Sequence, residues 1–222
     1  MNIIVSEKIW NKGLVESLQK GSDIIWKLID KKEDFNFENL SALNPDKIFI
    51  PHWSYIIPEN IYSNFECIVF HMTDLPFGRG GSPLQNLVVR GFKTTKISAL
   101  RVVKELDAGD IYLKQELSLE GNATAIFERA NSIIENMIRT ITENKIIPEP
   151  QVGEIVHFKR RKLEESDISG INEIGKIYDY IRMLDADGYQ KAFLEMDNIK
   201  FEFSDAAIID NEITAYVRIF KK

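Results

Sequence analysis

Short, mostly apolar runs punctuate the first third of the chain at residues 1–5, 23–29, 47–50 and 67–70. Runs of this length without alternation read as strands buried on both faces, the signature of parallel sheet. Between them, residues 13–20 and 37–43 are helix-like, and 58–62 form a helical turn with Pro58 near its start. Strands alternating with helices predict right-handed crossovers and a mostly parallel, Rossmann-like sheet. A Gly- and Pro-rich loop occupies 74–83, followed by a helix-like segment at 84–90. Apolar positions then alternate at Ile97, Ala99 and Val103, turn at Leu106-Asp107-Ala108-Gly109, and resume over 111–119.

Residues 123–144 predict one long helix. Ile126, Ala130, Ile133, Ile134, Met137 and Ile141 keep a stripe at three- and four-residue spacing, with Thr124 as the expected cap. Pro148 and Pro150 end that pattern. Beyond them come a strand-like run at 155–158, a helix-like segment at 171–184, and alternating runs at 199–203, 207–209 and 213–219. Asp210-Asn211 reads as a tight turn between the last two. The expectation is an α/β catalytic domain over 1–150 and a small α+β C-terminal subdomain over 151–222.

Charge changes the picture modestly. The net charge of the 222 residues is −6, with a pI near 5.3. Proteins that grip phosphate backbones usually present a basic face, so the balance argues against a nucleic-acid partner. The basic cluster Lys159-Arg160-Arg161-Lys162 could touch a phosphate, though such runs are more often solvated faces. A single cysteine, Cys67, precludes an intrachain disulfide and fits a cytoplasmic setting. It opens a buried run, where thiols are commonly inert. No apolar run approaches a membrane span, and the N-terminus lacks a secretory pattern. The three histidines and the cysteine are too scattered for a metal site.

The candidate chemistry gathers between residues 51 and 109. His71 ends an apolar run, and Asp107 sits in a tight turn after another; open parallel sheets place their sites beyond such strand ends. No Gly-x-Gly-x-x-Gly follows the first run, and Gly78-Arg79-Gly80-Gly81-Ser82 lacks the Gly-Lys-Ser/Thr of a P-loop. Arg79, Gly80 and Gly81 are candidates for a phosphorylated substrate, since glycines admit close approach and Arg suits a diphosphate.

The order strand, His71, Leu75-Pro76, Arg79-Gly80, Pro83, then Leu106-Asp107-Ala108-Gly109 resembles the folate-dependent formyltransferases. Pro51-His52-Trp53-Ser54 and the block 71–81 look most like the branch acting on sugar nucleotides, in particular enzymes that formylate a UDP-4-amino-4,6-dideoxy sugar in pseudaminic acid biosynthesis. The resemblance covers 1–142 well and the remainder weakly. It implies 10-formyltetrahydrofolate as formyl donor, a UDP-linked amino sugar as acceptor, and no nucleic-acid partner. His71 and Asp107 would be the catalytic pair. Trp53, Ser54, Tyr55, Ile56, Val103, Lys104 and Leu106 would line the folate pocket. In the family the histidine belongs to an Asn-x-His motif; here Val69 stands at the Asn position, and His52 or Thr73 is expected to supply the missing donor. Methionyl-tRNA formyltransferase is the alternative enzyme. A domain that binds folate or a sugar nucleotide without turnover is the alternative class. The C-terminal alternation leaves a homodimer face or a substrate lid open.

Overall fold

The computed structural model describes residues 1–8 and 11–222. In chain order the strands and helices are β1 (Asn2–Ser6), α1 (Lys12–Gln19), β2 (Trp26–Ile29), α2 (Phe37–Leu43), β3 (Lys47–His52), α3 (Glu59–Tyr62), β4 (Cys67–His71), β5 (Phe77–Gly80), α4 (Pro83–Val88), β6 (Thr94–Arg101), β7 (Ile111–Ser118), α5 (Ala123–Glu143), β8 (Val156–Phe158), α6 (Ile174–Met183), β9 (Ala192–Met196), β10 (Ile199–Ile209) and β11 (Glu212–Lys221). Six strands form one sheet in the order β2-β1-β3-β4-β6-β7. β1 pairs in parallel with β2 and β3, and β3 with β4, while β4 and β6 run antiparallel. This is the mostly parallel, Rossmann-like sheet that the apolar runs predict.

The chain groups into two compact units that interleave along the sequence. One comprises 1–79, 96–117 and 128–157; the other comprises 80–95, 118–127 and 158–222. In the first, Ile3 and Val5 face one side of the sheet and join Ile29, Phe35, Leu40, Ile48, Ile50, Ile61 and Cys67 in a buried cluster. Their strand neighbours Ile4 and Phe49 are also buried, with the Phe49 ring 5.8 Å from Trp26 and 6.5 Å from Phe70. Because successive strand residues point to opposite faces, an unbroken apolar run is what a sheet covered on both sides requires. Each fully buried Ile or Phe contributes roughly 1.5–3 kcal/mol.

Local chemistry sets the element ends. Asn36 caps α2 by accepting from the Asn39 amide at 2.9 Å, and Asn44 closes it at φ 46°. α5 is capped by Asn122, which accepts from the Ala125 amide at 3.0 Å, rather than by Thr124, whose hydroxyl donates to the Asp185 carbonyl. β2 begins at Trp26 instead of Asp23. β5 lies inside the stretch expected to be loop, and β9 adds a strand to the C-terminal sheet, ordered β11-β10-β9. Runs 199–203 and 207–209 are one strand with a register shift between Ser204 and Ala207. Asp210 and Asn211, at φ 48° and 64°, make the expected hairpin turn. Among the described residues no helix is long and apolar enough to cross a membrane.

Candidate active site

β4 lies inside the six-stranded sheet, and its last residue, His71, is opposite Ser98 of β6. The Ser98 hydroxyl donates to the Thr73 carbonyl at 2.7 Å and accepts from the Leu75 amide at 3.3 Å. One buried side chain thus fixes the path of the loop that leaves the strand. Asp74 holds that loop from the other side, pairing with Lys96 at 2.9 Å and Lys114 at 2.5 Å. Burial alone would raise the Asp74 carboxyl, but the two lysines outweigh it and hold the group below its ordinary value.

The loop returns as β5, which places Gly78 against the imidazole. His71 Nε2 lies 2.8 Å from the Gly78 carbonyl oxygen. A carbonyl only accepts, so Nε2 carries a hydrogen. The Thr73 hydroxyl donates to the same oxygen at 3.5 Å. His71 is 8% exposed and Thr73 is fully buried.

The other ring nitrogen faces the turn after β6. His71 Nδ1 is 3.6 Å from Asp107 Oδ2, too long for a hydrogen bond but within ion-pair range. Asp107 has φ 54°. A non-glycine residue in this left-handed region costs roughly 1–3 kcal/mol and persists only when its surroundings impose it. Two restraints are visible. A Cβ on Gly109 would collide with the Arg101 carbonyl oxygen, so the turn sits directly on the end of β6. In addition, the Gln151 amide Nε2 donates to the carbonyls of Asp107 and Gly109, each at 2.8 Å. Gln151 Oε1 in turn accepts from Arg79 Nε at 3.1 Å and an Arg79 terminal nitrogen at 2.7 Å.

The structure therefore brings His71, Thr73 and Asp107 together, and it adds Gly78, Ser98, Gly109 and Gln151. Arg79, expected to meet substrate, is bound to Gln151. Gly80 and Gly81 pack on the chain at 158–160: a Cβ on Gly80 would strike the Phe158 carbonyl, and one on Gly81 would lie 2.6 Å from Arg160 Cβ. Close backbone packing thus accounts for both glycines. His52 is engaged toward β1. Its Nδ1 accepts from Asn11 Nδ2 at 3.3 Å, and its carbonyl accepts from the Ser6 hydroxyl at 3.4 Å. Burial, helped by the Lys8 charge, lowers its pKa to about 4.

The positions expected to line a folate pocket fall in two strand-end loops. Trp53 follows β3, edge-on to Phe35 at 5.5 Å and to Tyr55 at 5.2 Å. Ser54 is exposed, and Lys32 lies over the Tyr55 ring. Ile56 is 82% exposed. In the second loop Leu106 is 61% exposed, Lys104 is exposed and Val103 half-buried. Trp53 and Val102 pack against the same buried cluster, so both loops border one core. Ile56 and Leu106 thus expose apolar side chains on the two loops. A separate groove of about 450 Å³, lined by residues including Ile111, Lys114, Ile147 and Gln151, contains neither His71 nor Asp107. Burial raises the Cys67 thiol to about 12. Among the described residues no cluster could hold a metal ion.

A formyl transferase family model matches residues 10–132, and a model of the methionyl-tRNA formyltransferase C-terminal domain matches 163–220. The chain is 32% identical over 162 residues to a methionyl-tRNA formyltransferase of Thermodesulfovibrio yellowstonii, covering 69% of this chain and 53% of the relative. It is 31% identical over 132 residues to that of Rickettsia bellii, covering 57% and 43%. The chain thus spans about half the length of the curated relatives it matches. The solved structure titled methionyl-tRNA formyltransferase from Clostridium thermocellum is 47% identical, covers 100% of both chains and superposes with a TM-score of 0.97. By contrast, a 4-N formyltransferase from Francisella tularensis is 15% identical at TM-score 0.69, a likeness of fold alone.

This overturns the UDP-amino-sugar expectation and, with it, the exclusion of nucleic acid. The reason is physical in both cases. Gly80 and Gly81, read as substrate-contacting, are explained by packing. A net charge is a sum over the whole surface, and −6 coexists with the largely exposed basic segment at 159–162. A formyl transferase match from 10 to 132 takes in more than half of the residues, and the chain belongs to the formyl transferase family.

Proposed function

We propose that this chain transfers a formyl group from 10-formyltetrahydrofolate to the amine of methionyl-tRNA. The observation that carries the reading is the 47% identity to the Clostridium thermocellum protein across the full length of both chains. The formyl transferase family takes its formyl group from 10-formyltetrahydrofolate, and the exposed Ile56, which follows Trp53 and Tyr55 in its loop, and the exposed Leu106 of the second loop suit the flat ring of such a donor. The bound folate supplies the formyl carbon.

The chain's own groups do the rest. The attacking amine must lose a proton, and the carbonyl oxygen becomes an oxyanion as the tetrahedral centre forms. Collapse of that centre breaks the bond from the formyl carbon to the folate nitrogen, so that tetrahydrofolate leaves with a proton on that nitrogen. His71, held at Nε2 by Gly78, is assigned to that oxyanion or that proton. Asp107, 3.6 Å from Nδ1, sets a carboxylate beside the ring, where it orients the imidazole and favours its protonated form. With Val69 in the family's Asn position, both expected substitutes are engaged elsewhere, His52 by Asn11 and the fully buried Thr73 by the Gly78 carbonyl, so the oxyanion is assigned to His71. Exposed Lys159, Arg160 and Lys162 are assigned to phosphates of the tRNA.

Incubating the protein with 10-formyltetrahydrofolate and methionyl-tRNA, and reading N-formylmethionine by mass after deacylation, tests the assignment. Formylation by the wild type and its loss in His71→Ala are expected. Tetrahydrofolate binding with no formylation would replace the reading with that of a non-catalytic binding domain.

A further inference from the structure

Gln151 follows Pro150 in a segment with no periodicity and no motif, yet its one carboxamide makes four hydrogen bonds to three residues. Oε1 faces Arg79, which only donates. Nε2 faces the Asp107 and Gly109 carbonyls, which only accept. The orientation of the amide is therefore unambiguous, and its two donors and its oxygen are all used. The backbone that carries Gln151 is anchored independently: the Ile111 amide donates to the Glu149 carbonyl at 2.8 Å, and the Glu149 amide returns a bond at 3.0 Å. The side chain is thus not needed to hold its own segment in place.

The connections close a ring. Gly78 receives His71 Nε2; the next residue, Arg79, is held by Gln151; Gln151 holds the backbone of Asp107; and Asp107 returns to His71 Nδ1. Both members of the pair are thereby referenced to one short strand, β5. We infer that Gln151 is a positioning residue, which sets the separation of Asp107 from His71 by tying the Asp107 turn to Arg79. The inference deepens the proposed function and rests on it for its kinetic consequence. The argument turns on Asp107 holding a left-handed conformation. A turn in that conformation relaxes when its external donors are removed, and misplacement of a reacting group by about 1 Å costs on the order of 100-fold in rate.

Two variants test it. Gln151→Leu removes all four contacts at similar volume. Gln151→Glu keeps the bidentate Arg79 pairing and loses both donors to the turn. Each is expected to lower kcat about 10- to 100-fold, with KM for tRNA and folate within about 3-fold of wild type. In an Asp107→Asn background either change is expected to add little, because the group it positions has lost its charge. A readout free of turnover accompanies the kinetics: the ring-nitrogen chemical shifts of His71 in 15N-histidine-labelled protein, assigned by their loss in His71→Gln. Both Gln151 variants are expected to move the His71 signals and leave those of His157 in place. Moved signals in a protein whose wild type does not formylate methionyl-tRNA would refute the proposed function and keep the clamp. Unmoved signals and an unchanged kcat, or losses fully additive with Asp107→Asn, would overturn the inference.

Discussion

Strand β1 is buried at every one of its residues, Asn2–Ser6, whereas β11 alternates between exposed and half-buried over residues 212–216 and is exposed throughout 216–219. The first lies inside a six-stranded sheet; the second is the edge of a three-stranded one. The difference teaches where rigid chemistry can be built. A strand enclosed on both faces and both edges has one register and one exit direction, so the side chain at its end, such as His71 after β4, is aimed by the whole sheet. An edge strand with exposed Tyr216 and Ile219 is restrained on one side only, and it presents unpaired backbone groups to whatever it meets.

Matched substitutions sharpen the contrast. Ile68→Ala, at a fully buried position of β4, is expected to cost about 2–5 kcal/mol of unfolding free energy by denaturant titration. The same exchange at Ile219, which is 60% exposed, is expected to stay within about 0.5 kcal/mol. Equal losses at the two sites would erase the distinction between the sheets.

At the strand end the effect moves from stability to rate. His71→Ala is expected to lower turnover roughly 100- to 1000-fold, the range for losing one group that stabilises developing charge, with the unfolding midpoint nearly kept. A midpoint shift as large as that of Ile68→Ala, with turnover intact, would show that the imidazole serves packing.

A smaller effect comes from the neighbouring strand. His52 titrates near 4 in the fold against an ordinary 6.5. Between those values the unfolded chain binds a proton that the folded chain refuses, so stability falls as pH drops from about 6.5 to about 4. Nε2 of His52 is sealed from solvent although the residue keeps some exposed surface, which sets a ceiling of about 3 kcal/mol. His52→Gln is expected to flatten that part of the stability–pH curve. A curve of unchanged slope would show that other groups govern it.

Much of the enclosed sheet was legible because its residues announce it: Ile3-Ile4-Val5, Ile48-Phe49-Ile50 and Ile68-Val69-Phe70 leave no polar face. β5 was not, because Phe77-Gly78-Arg79-Gly80 carries turn residues, and its pairing partner β8 lies far along the chain. β10 read as two runs because the register shift around Asp205, at φ 50°, interrupts the alternation. His71 and Asp107 stood out by position, one at a strand end and one in a turn, and the fold sets them 3.6 Å apart. Gln151 left no signal: its partners, Arg79, Asp107 and Gly109, are distant in sequence, and a lone glutamine has no local pattern. The acceptor was misread because Gly80 and Gly81 serve backbone packing against 158–160, which from the chain alone looks the same as room for a ligand.

The solitary cysteine has a practical consequence. Its thiol is raised to about 12 and sits in the core cluster, so it resists alkylating dyes at neutral pH. A cysteine introduced at an exposed position, such as Glu212→Cys on β11, becomes the one site such a reagent modifies, and fluorescence or spin labelling needs no prior removal of a native thiol.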